Sequence, residues 1–324
     1  MNWTPFELHT HTCHTDGQFE PQEIPHYASS QGLKGVALTD HNTISCYPAF
    51  DDGLEQVPEM IGIHGIEWTT YHGHMLVLGE QGYTDWRGVG VQELETAVDR
   101  IHAHGGLVGI AHPYSLSNPV NTGYRWEFEM QDWNKIDYIE VWSRDFPIGR
   151  ARTMQAFALW DRLLQQGYHI SATSGRDWHR PDAAPTHYGT TYLGIEDGCY
   201  DEFGALRALK NGRVCVTAGP LLTASVRCGD TCYLPGDTLP SGTANITISL
   251  DEQQNVGLWQ QFPIIPRGWR IIHNGRCLAK QDGTGVRNGT WELDAGWIRI
   301  ELFGRCMEHE NVRIAFTNPF YIQG

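Results

Sequence analysis

Five short apolar runs in this chain end in histidine, aspartate or glutamate, the side chains that bind divalent metal ions most often. The terminal residues are His9 and His11, Asp40 and His41, Glu67, His112, and Asp177 and His179. His9 and His11 alternate along an extended segment, so their side chains point the same way and can hold one ion together. One such pair is expected by chance among 16 histidines. Five apolar runs that all end in such side chains indicate a metal site.

The apolar runs read as strands that alternate with amphipathic helices. One helix carries Phe157, Trp160 and Leu164 at helical spacing and ends before Gly167. Repeated strand–helix units predict a mainly parallel α/β sheet, whose functional sites lie at the carboxyl ends of the strands. The five ends should therefore converge on one pocket. The predicted strands are Phe6–His9, Gly35–Thr39, Met60–Ile66, Met75–Leu78, Leu107–Ala111, Tyr138–Trp142 and Ile170–Thr173.

The pattern changes after about Thr217, where helical periodicity stops and short alternating segments follow. Turn signals separate these segments, among them Asn274-Gly275 and Asp282-Gly283. This composition predicts a small all-β sandwich over residues 217–324, after an α/β domain over residues 1–216. Gly219-Pro220 is a suitable linker between the two.

Charge and composition exclude several classes of protein. The formal net charge is −15, which disfavours binding to a polyanion such as a nucleic acid. No apolar run approaches the ~18 residues of a membrane-spanning helix, and the first residues lack the pattern of a secretory signal. The eight cysteines form no Cys-x-x-Cys pair, which favours reduced thiols. We therefore expect a cytoplasmic protein that binds neither membranes nor nucleic acids.

The order and content of the metal-binding motifs resemble the PHP family, the polymerase and histidinol phosphatase metallohydrolases. The resemblance covers about residues 6–215 and implies a distorted (β/α)7 barrel with two to three divalent metal ions at its C-terminal mouth. Thr217-Ala-Gly-Pro220 and Thr317–Tyr321 are similar to the carbaryl-hydrolase-like branch, whose members append a β-sandwich. The matching segments are Leu8-His9-Thr-His11-Thr-Cys-His-Thr-Asp16-Gly17, Leu38-Thr-Asp40-His41-Asn42, Gly65-Ile-Glu67, Gly73-His74, Ala111-His112-Pro113 and Gly175-Arg-Asp177-Trp-His179.

The resemblance also implies how the metal ligands are shared among three ions. The first ion takes His9, His11, Glu67 and Asp177. Glu67 bridges to a second ion, which is also held by His112 and His74. The third ion takes Asp16, His41 and His179. His72 lies on the same side of an extended segment as His74 and is the alternative ligand there.

Three further residues are candidates for orienting a metal ligand or binding the substrate. Asp40 resembles a carboxylate that orients a ligand histidine. Arg144 and Arg176 follow predicted strands, and either can hold a phosphate through two hydrogen bonds. A structural salt bridge is the alternative for each arginine.

The ligand set itself points to the chemistry. Nine imidazole and carboxylate ligands are too many for one ion, and ligands of these types suit Zn, Mn or Fe. Such a positive pocket attracts an anionic small molecule despite the acidic exterior. We therefore expect a metal-dependent phosphoesterase that attacks phosphorus through a metal-bound hydroxide, with Glu67 and Asp177 holding the ions. A metal-bound water, His179 or Asp40 can protonate the leaving group.

Two other functions remain open at this point. The same metal centre serves a hydrolase acting on a carbamate, an ester or an amide. A non-catalytic, metal-binding regulatory module is the other alternative. The sequence does not reveal the oligomeric state.

Overall fold

A mixed β-sheet with helices between its strands forms the N-terminal part of the protein. The computed structural model describes residues 1–116, 123–144, 151–183, 186–254 and 256–324. The strands of this part are β1 (Asn2–Glu7), β2 (Gly35–Leu38), β3 (Ile61–Thr70), β4 (Gly73–Leu78), β5 (Leu107–Ile110), β6 (Tyr138–Ser143), β7 (Ser171–Gly175), β8 (Thr190–Ile195) and β9 (Val214–Thr217). The helices are α1 (Ile24–Ser30), α2 (Tyr47–Gln56), α3 (Leu94–Ala103), α4 (Ala151–Gln165) and α5 (Glu202–Lys210). Short 3-10 turns span Pro21–Glu23 and Trp133–Lys135.

The strands lie in the order β9-β8-β1-β2-β3-β4-β5-β6-β7. β1, β2 and β3 are parallel, and so are β5, β6 and β7. Every residue of β2, β4, β5 and β6 is buried, as expected for apolar strands covered on both faces. The α/β class predicted from the sequence is confirmed, and the seven predicted strands all form.

The simple strand–helix alternation is interrupted between β3 and β4. These two strands form an antiparallel hairpin, so β4 runs opposite to both β3 and β5. The hairpin matters for the site, because it places Glu67 of β3 directly across from Leu76 and close to His74 of β4.

The C-terminal part contains strands and one 3-10 turn, Val256–Leu258, within the described residues. The strands are β10 (Leu221–Cys228), β11 (Thr231–Tyr233), β12 (Thr238–Pro240), β13 (Gly242–Asp251), β14 (Ile264–His273), β15 (Arg276–Asp282), β16 (Arg287–Leu293), β17 (Gly296–Cys306), β18 (His309–Thr317) and β19 (Phe320–Gln323). One sheet has the order β11-β10-β13-β16, and the remaining strands extend the N-terminal sheet. The extension is made by β18, which pairs antiparallel with β9.

The boundary expected between residues 216 and 217 falls inside β9. Because β9 pairs with β8 on one side and β18 on the other, the two parts of the chain share backbone hydrogen bonds.

Among the described residues, no helix combines the length and the apolar character that crossing a membrane requires.

A buried ionic network fastens β17 to α4. The guanidinium of Arg299 is 2% exposed and contacts the carboxylates of Asp161 and Glu301. Arg313 also reaches Glu301, at 3.1 Å. The carbon of the Arg299 guanidinium lies 5.0 Å from the ring centre of Trp160, so its flat face is covered by an aromatic ring. Such a network stabilises the docking of the two parts only while every charge keeps its partner.

Replacing Arg299 by methionine should therefore lower the free energy of unfolding by about 3 kcal/mol, since it leaves the buried carboxylate of Glu301 with one partner fewer. Urea denaturation measures the change. Arg267→Met is the matched control, because Arg267 pairs with Glu310 on the exposed surface. The control should cost about 0.5 kcal/mol or less. Equal losses in the two variants would contradict a structural role for the buried network.

Candidate metal centre

All nine predicted ligands lie together: Glu67 is within β3, His74 is near the start of β4, and the others follow β1, β2, β5 or β7. Their ligand atoms form three groups, within each of which all atoms lie within 4.8 Å of one another. Glu67 and His41 each belong to two groups, so the groups are contiguous. The groups are His9, Glu67, His112 and Asp177; His41, Glu67 and His74; and His11, Asp16, His41 and His179.

Glu67 lies at the centre of this cluster and is fully buried. Its Oε1 atom is 2.9 Å from Nδ1 of His74 and 3.1 Å from Nε2 of His112. Its Oε2 atom is 3.3 Å from Nε2 of both His9 and His11. The two oxygens of one carboxylate thus face two different pairs of histidines, which is the position of a bridging ligand.

Asp177 faces the same histidines from the other side of the cluster. Its Oδ1 atom is 3.2 Å from Nε2 of His11 and 3.6 Å from Nε2 of His9. Its Oδ2 atom accepts hydrogen bonds from Nε and Nη2 of Arg144, at 3.0 and 2.7 Å. Arg144 therefore fixes the orientation of this carboxylate.

Asp16, His41 and His179 form the outer, more open end of the cluster. Oδ1 of Asp16 is 3.4 Å from Nε2 of His41 and 3.2 Å from Nε2 of His179. The Asp16 side chain is 56% exposed, whereas Glu67 is fully buried. His11 belongs to the outer group, but its Nε2 atom also lies 3.3 Å from Oε2 of Glu67 and 3.2 Å from Oδ1 of Asp177, so it stands between the outer and inner groups.

The buried atoms of the cluster fit metal ions. Within the described part of the chain, several have no hydrogen-bond partner: Nε2 of His9, both ring nitrogens of His11, Nε2 of His74, Nδ1 of His112 and Oε2 of Glu67. Unpaired buried donors and acceptors are costly, and a cation would satisfy the lone pairs that face the centre. The set of imidazoles and carboxylates also matches the preferences of Zn, Mn or Fe.

The two central carboxylates remain ionised, as metal ligands must be. Burial alone would raise the pKa of Glu67, but the attraction of His9, His41 and His74 outweighs it and holds the pKa well below its usual range. Burial likewise opposes ionisation of Asp177, whose pKa is held well below its usual range by His9, His11 and His112.

Four of the seven non-glycine residues with positive φ in the described part of the chain lie at the same place. Asn42, His112, Arg144 and Asp177 adopt positive φ angles of 55°, 28°, 64° and 52°, a region that non-glycine residues seldom occupy. His112 and Asp177 are members of the cluster, Asn42 follows His41, and Arg144 bonds to Asp177. Strain of this kind persists where the surrounding structure fixes side chains for function.

Glu140 is a functional candidate that the sequence analysis missed. It lies in β6 and its Oε2 atom is 2.8 Å from Nδ1 of His9. A Cβ atom on Gly175 would lie 2.3 Å from the same oxygen, so the glycine makes room for the carboxylate. Glu140 thus directs Nε2 of His9 into the cluster. The available signal was a single carboxylate within an otherwise apolar strand.

Replacing Glu140 by glutamine should weaken metal binding by about 10- to 100-fold, because the ligand histidine loses the carboxylate that orients it. Competition against a chelator measures the affinity. Glu129→Gln, on the exposed surface, is the control and should change nothing. Unchanged metal affinity in Glu140→Gln would show that His9 does not depend on this contact.

Asp40 has a different partner from the one expected. Its Oδ1 atom accepts hydrogen bonds from the backbone N–H of Thr12, at 2.7 Å, and from the hydroxyl of Thr15, at 2.6 Å. Its Oδ2 atom accepts a bond from the hydroxyl of Thr12, at 2.5 Å. Asp40 therefore fixes the loop that carries Asp16, and the carboxylate that orients a histidine is Glu140.

The two arginines occupy different environments. Arg176 is 4% exposed, and its Nε atom lies 3.2 Å from Glu7, which matches the structural alternative. The side chain of Arg144 is 40% exposed and borders the cluster through Asp177. Both line a cavity of about 920 Å³. A role in substrate binding remains a prediction for both, and the exposure favours Arg144.

The alternative ligand His72 lies apart from the cluster groups. Its ring packs against Phe128, with 5.4 Å between ring centres, while His74 contacts Glu67. Tyr124, a second residue that the sequence analysis missed, packs against His74 and His112 with ring centres 4.8 and 5.1 Å away. Its phenol therefore stands at the edge of the cluster.

Comparisons with known proteins support the fold. A solved two-domain protein from Bacteroides vulgatus, described as containing a predicted PHP-like metal-dependent phosphoesterase, has a TM-score of 0.54 and 14% identity. The match covers 98% of this chain and 95% of that one. The chain thus shares its α/β architecture, with a second domain, with a protein of that description.

Other similarities are partial. A solved amidohydrolase from Chromobacterium violaceum has a TM-score of 0.40 and 18% identity, over 64% of this chain and 96% of that one. A 5'-3' exoribonuclease of Haemophilus influenzae is 30% identical over 97 residues. That alignment spans only 30% of this chain and 30% of the exoribonuclease. No protein-family model matches the chain.

Proposed function

We propose that this protein is a PHP-type, metal-dependent phosphoesterase that hydrolyses a small phosphorylated substrate with two to three ions of Zn, Mn or Fe. The observation that carries the proposal is the position of Glu67. Its two oxygens face different histidines, and it joins two of the three contiguous ligand groups. A carboxylate so placed holds two cations at a fixed separation.

When bound, the ions supply an activated water and neutralise the phosphoryl oxygens of the substrate. The chain positions those ions through the three ligand groups, and Glu140 orients His9. Arg144 contacts Asp177 through Nε and Nη2 and also bonds to Tyr124, and its side chain, 40% exposed, offers positive charge to a phosphoryl oxygen beside the cluster. His179 stands at the open end of the cluster, and when the third ion is absent it is the residue we assign to protonation of the leaving group.

The rest of the chain supports this site. We infer that the N-terminal sheet closes into a distorted (β/α)7 barrel, because Ser174 of β7 bonds to the hydroxyl of Thr191 in β8 at 2.9 Å. We infer that the two sheets of residues 217–324 form a β-sandwich. We propose that the protein acts in the cytoplasm on an anionic small molecule. Its net charge of −15 disfavours nucleic acid as the substrate.

A phosphoester is the favoured scissile bond for two reasons. Arg144 and Arg176 line a cavity that borders Asp177 and His179, so an anionic group has positive charge beside the cluster. The Haemophilus influenzae relative bears the name of an exoribonuclease, an enzyme class that cleaves phosphodiesters. A carbamate, ester or amide remains the alternative substrate for the same centre.

Metal analysis and a hydrolysis screen test the proposal together. Protein produced with Mn and Zn should contain two to three ions per chain by elemental analysis. It should hydrolyse p-nitrophenyl phosphate or the bis-p-nitrophenyl diester faster than 1-naphthyl carbamate. Absence of metal above background would refute the metal centre. Turnover of the carbamate alone would replace the phosphoesterase by the alternative hydrolase.

A further inference from the structure

Two cavities adjoin the cluster, and their linings differ in charge. The cavity of about 920 Å³ contains Arg144, Arg176 and Arg180. The other, of about 660 Å³, contains no lysine or arginine among its described lining residues. Asp16, His41 and His74 line this second cavity, so it opens directly onto the ligand groups. An anionic group is attracted to the first cavity, and a neutral group fits the second.

Aromatic side chains form much of the second cavity. Tyr71, Trp86 and Tyr124 line it, together with the imidazole of His72. Tyr71 stands in the turn between β3 and β4 and is 77% exposed, which is unusual for a large ring. A concave site with several aromatic faces and few charges is suited to a flat, apolar ligand.

We propose that this aromatic cavity binds a planar aromatic group of the substrate, next to its scissile phosphoester. This inference rests on the proposed function, and it adds the substrate class. The phosphoryl group then lies at the cluster with Arg144 on one side, and the aromatic group lies on the side of His74. Thr69, Thr70 and Asn42 also line the cavity, so polar atoms on the rim of a heteroaromatic ring can find partners there.

A matched pair of substrates tests the inference. Benzyl phosphate and ethyl phosphate both release an alkoxide of similar basicity, so they differ mainly in the ring. The metal-loaded protein should prefer benzyl phosphate in kcat/KM by about tenfold or more, because the phenyl group is removed from water. Tyr71→Leu should reduce that preference about threefold and Trp86→Leu about tenfold, mainly through KM.

Two controls make the result specific. Tyr83→Leu removes an exposed ring that is not among the cavity residues, and it should leave the preference unchanged. Tyr71 is exposed, so Tyr71→Leu should leave the core intact, whereas Trp86 packs against the core. A lower preference in Tyr71→Leu therefore reflects the cavity and not misfolding. Equal activity on the two substrates in the parent protein, or an unchanged preference in both cavity variants, would overturn the inference.

A binding experiment separates this inference from the proposed function. Calorimetric titration of the metal-loaded protein with benzylphosphonate and ethylphosphonate requires no turnover. If the protein hydrolyses neither these two esters nor the p-nitrophenyl substrates, the proposed function fails. In that case, tighter binding of benzylphosphonate that Tyr71→Leu weakens would still support the aromatic cavity. Equal binding of the two phosphonates would refute it.

Discussion

Replacing Glu67 by glutamine should abolish turnover while the protein stays folded. Glutamine has nearly the same shape as glutamate but only one side-chain oxygen. It therefore cannot direct one oxygen toward His74 and His112 and a second oxygen toward His9. A bridging ligand of this kind contributes several kcal/mol to catalysis, which corresponds to a loss of about 1,000-fold or more in kcat. Steady-state kinetics and elemental analysis of the same preparation measure the effect.

Glu80→Gln is the matched control for this variant. Glu80 is also a largely buried carboxylate, and it contacts His104 at 2.8 Å. Glu80 lies two residues after the end of β4, whereas His74 is the second residue of that strand, so the two contacts stand at opposite ends of β4. The control should retain full activity. Activity of Glu67→Gln within about tenfold of the parent protein would show that Glu67 does not bridge two ions.

The metal ligands could be predicted because most of them stand at or just after the end of a predicted apolar run. The carboxyl ends of parallel strands meet at one edge of a sheet, so local pattern was enough to bring His9, Glu67 and Asp177 together. The same logic failed for Glu140, which lies in the middle of the apolar run Tyr138–Trp142 rather than at its end. Its role depends on the space left by Gly175, and that contact is between two different strands.

The antiparallel hairpin of β3 and β4 was also outside the reach of sequence pattern. Strand periodicity is the same for parallel and antiparallel neighbours, so it does not reveal direction. The extension of the sheet through β9 and β18 was missed for a related reason. Both strands read as short apolar segments, and their pairing spans about a hundred residues of chain, from Cys215 to Thr317.

The environment of Asp40 and Arg176 shows a further limit of sequence reasoning. Both residues have types and positions that fit chemistry beside a metal. In the structure Asp40 receives hydrogen bonds from Thr12 and Thr15, and Arg176 pairs with Glu7. A motif indicates which residues come close to a site, whereas the partner that each side chain takes depends on packing.

Asp177 offers the sharpest separation between binding an ion and orienting a ligand. Its Oδ1 atom faces His9 and His11, and its Oδ2 atom accepts two hydrogen bonds from Arg144. Asparagine tolerates the φ angle of 52° at this position, so Asp177→Asn should fold. The asparagine amide has two possible orientations. In one, its NH₂ group faces the donor groups of Arg144, and in the other it faces the metal side, where a lone pair is required. We expect kcat to fall by about 1,000-fold or more and one ion per chain to be lost.

Arg144→Met should have a smaller effect, because it leaves the carboxylate in place and removes only its orienting partner. We expect a loss of about 10- to 100-fold in kcat/KM for a phosphoester, with the metal content unchanged. Elemental analysis beside the kinetics distinguishes the two variants. If Asp177→Asn keeps its full metal content and loses no more activity than Arg144→Met, Asp177 is not a metal ligand, and its contact with Arg144 is its main contribution to the site.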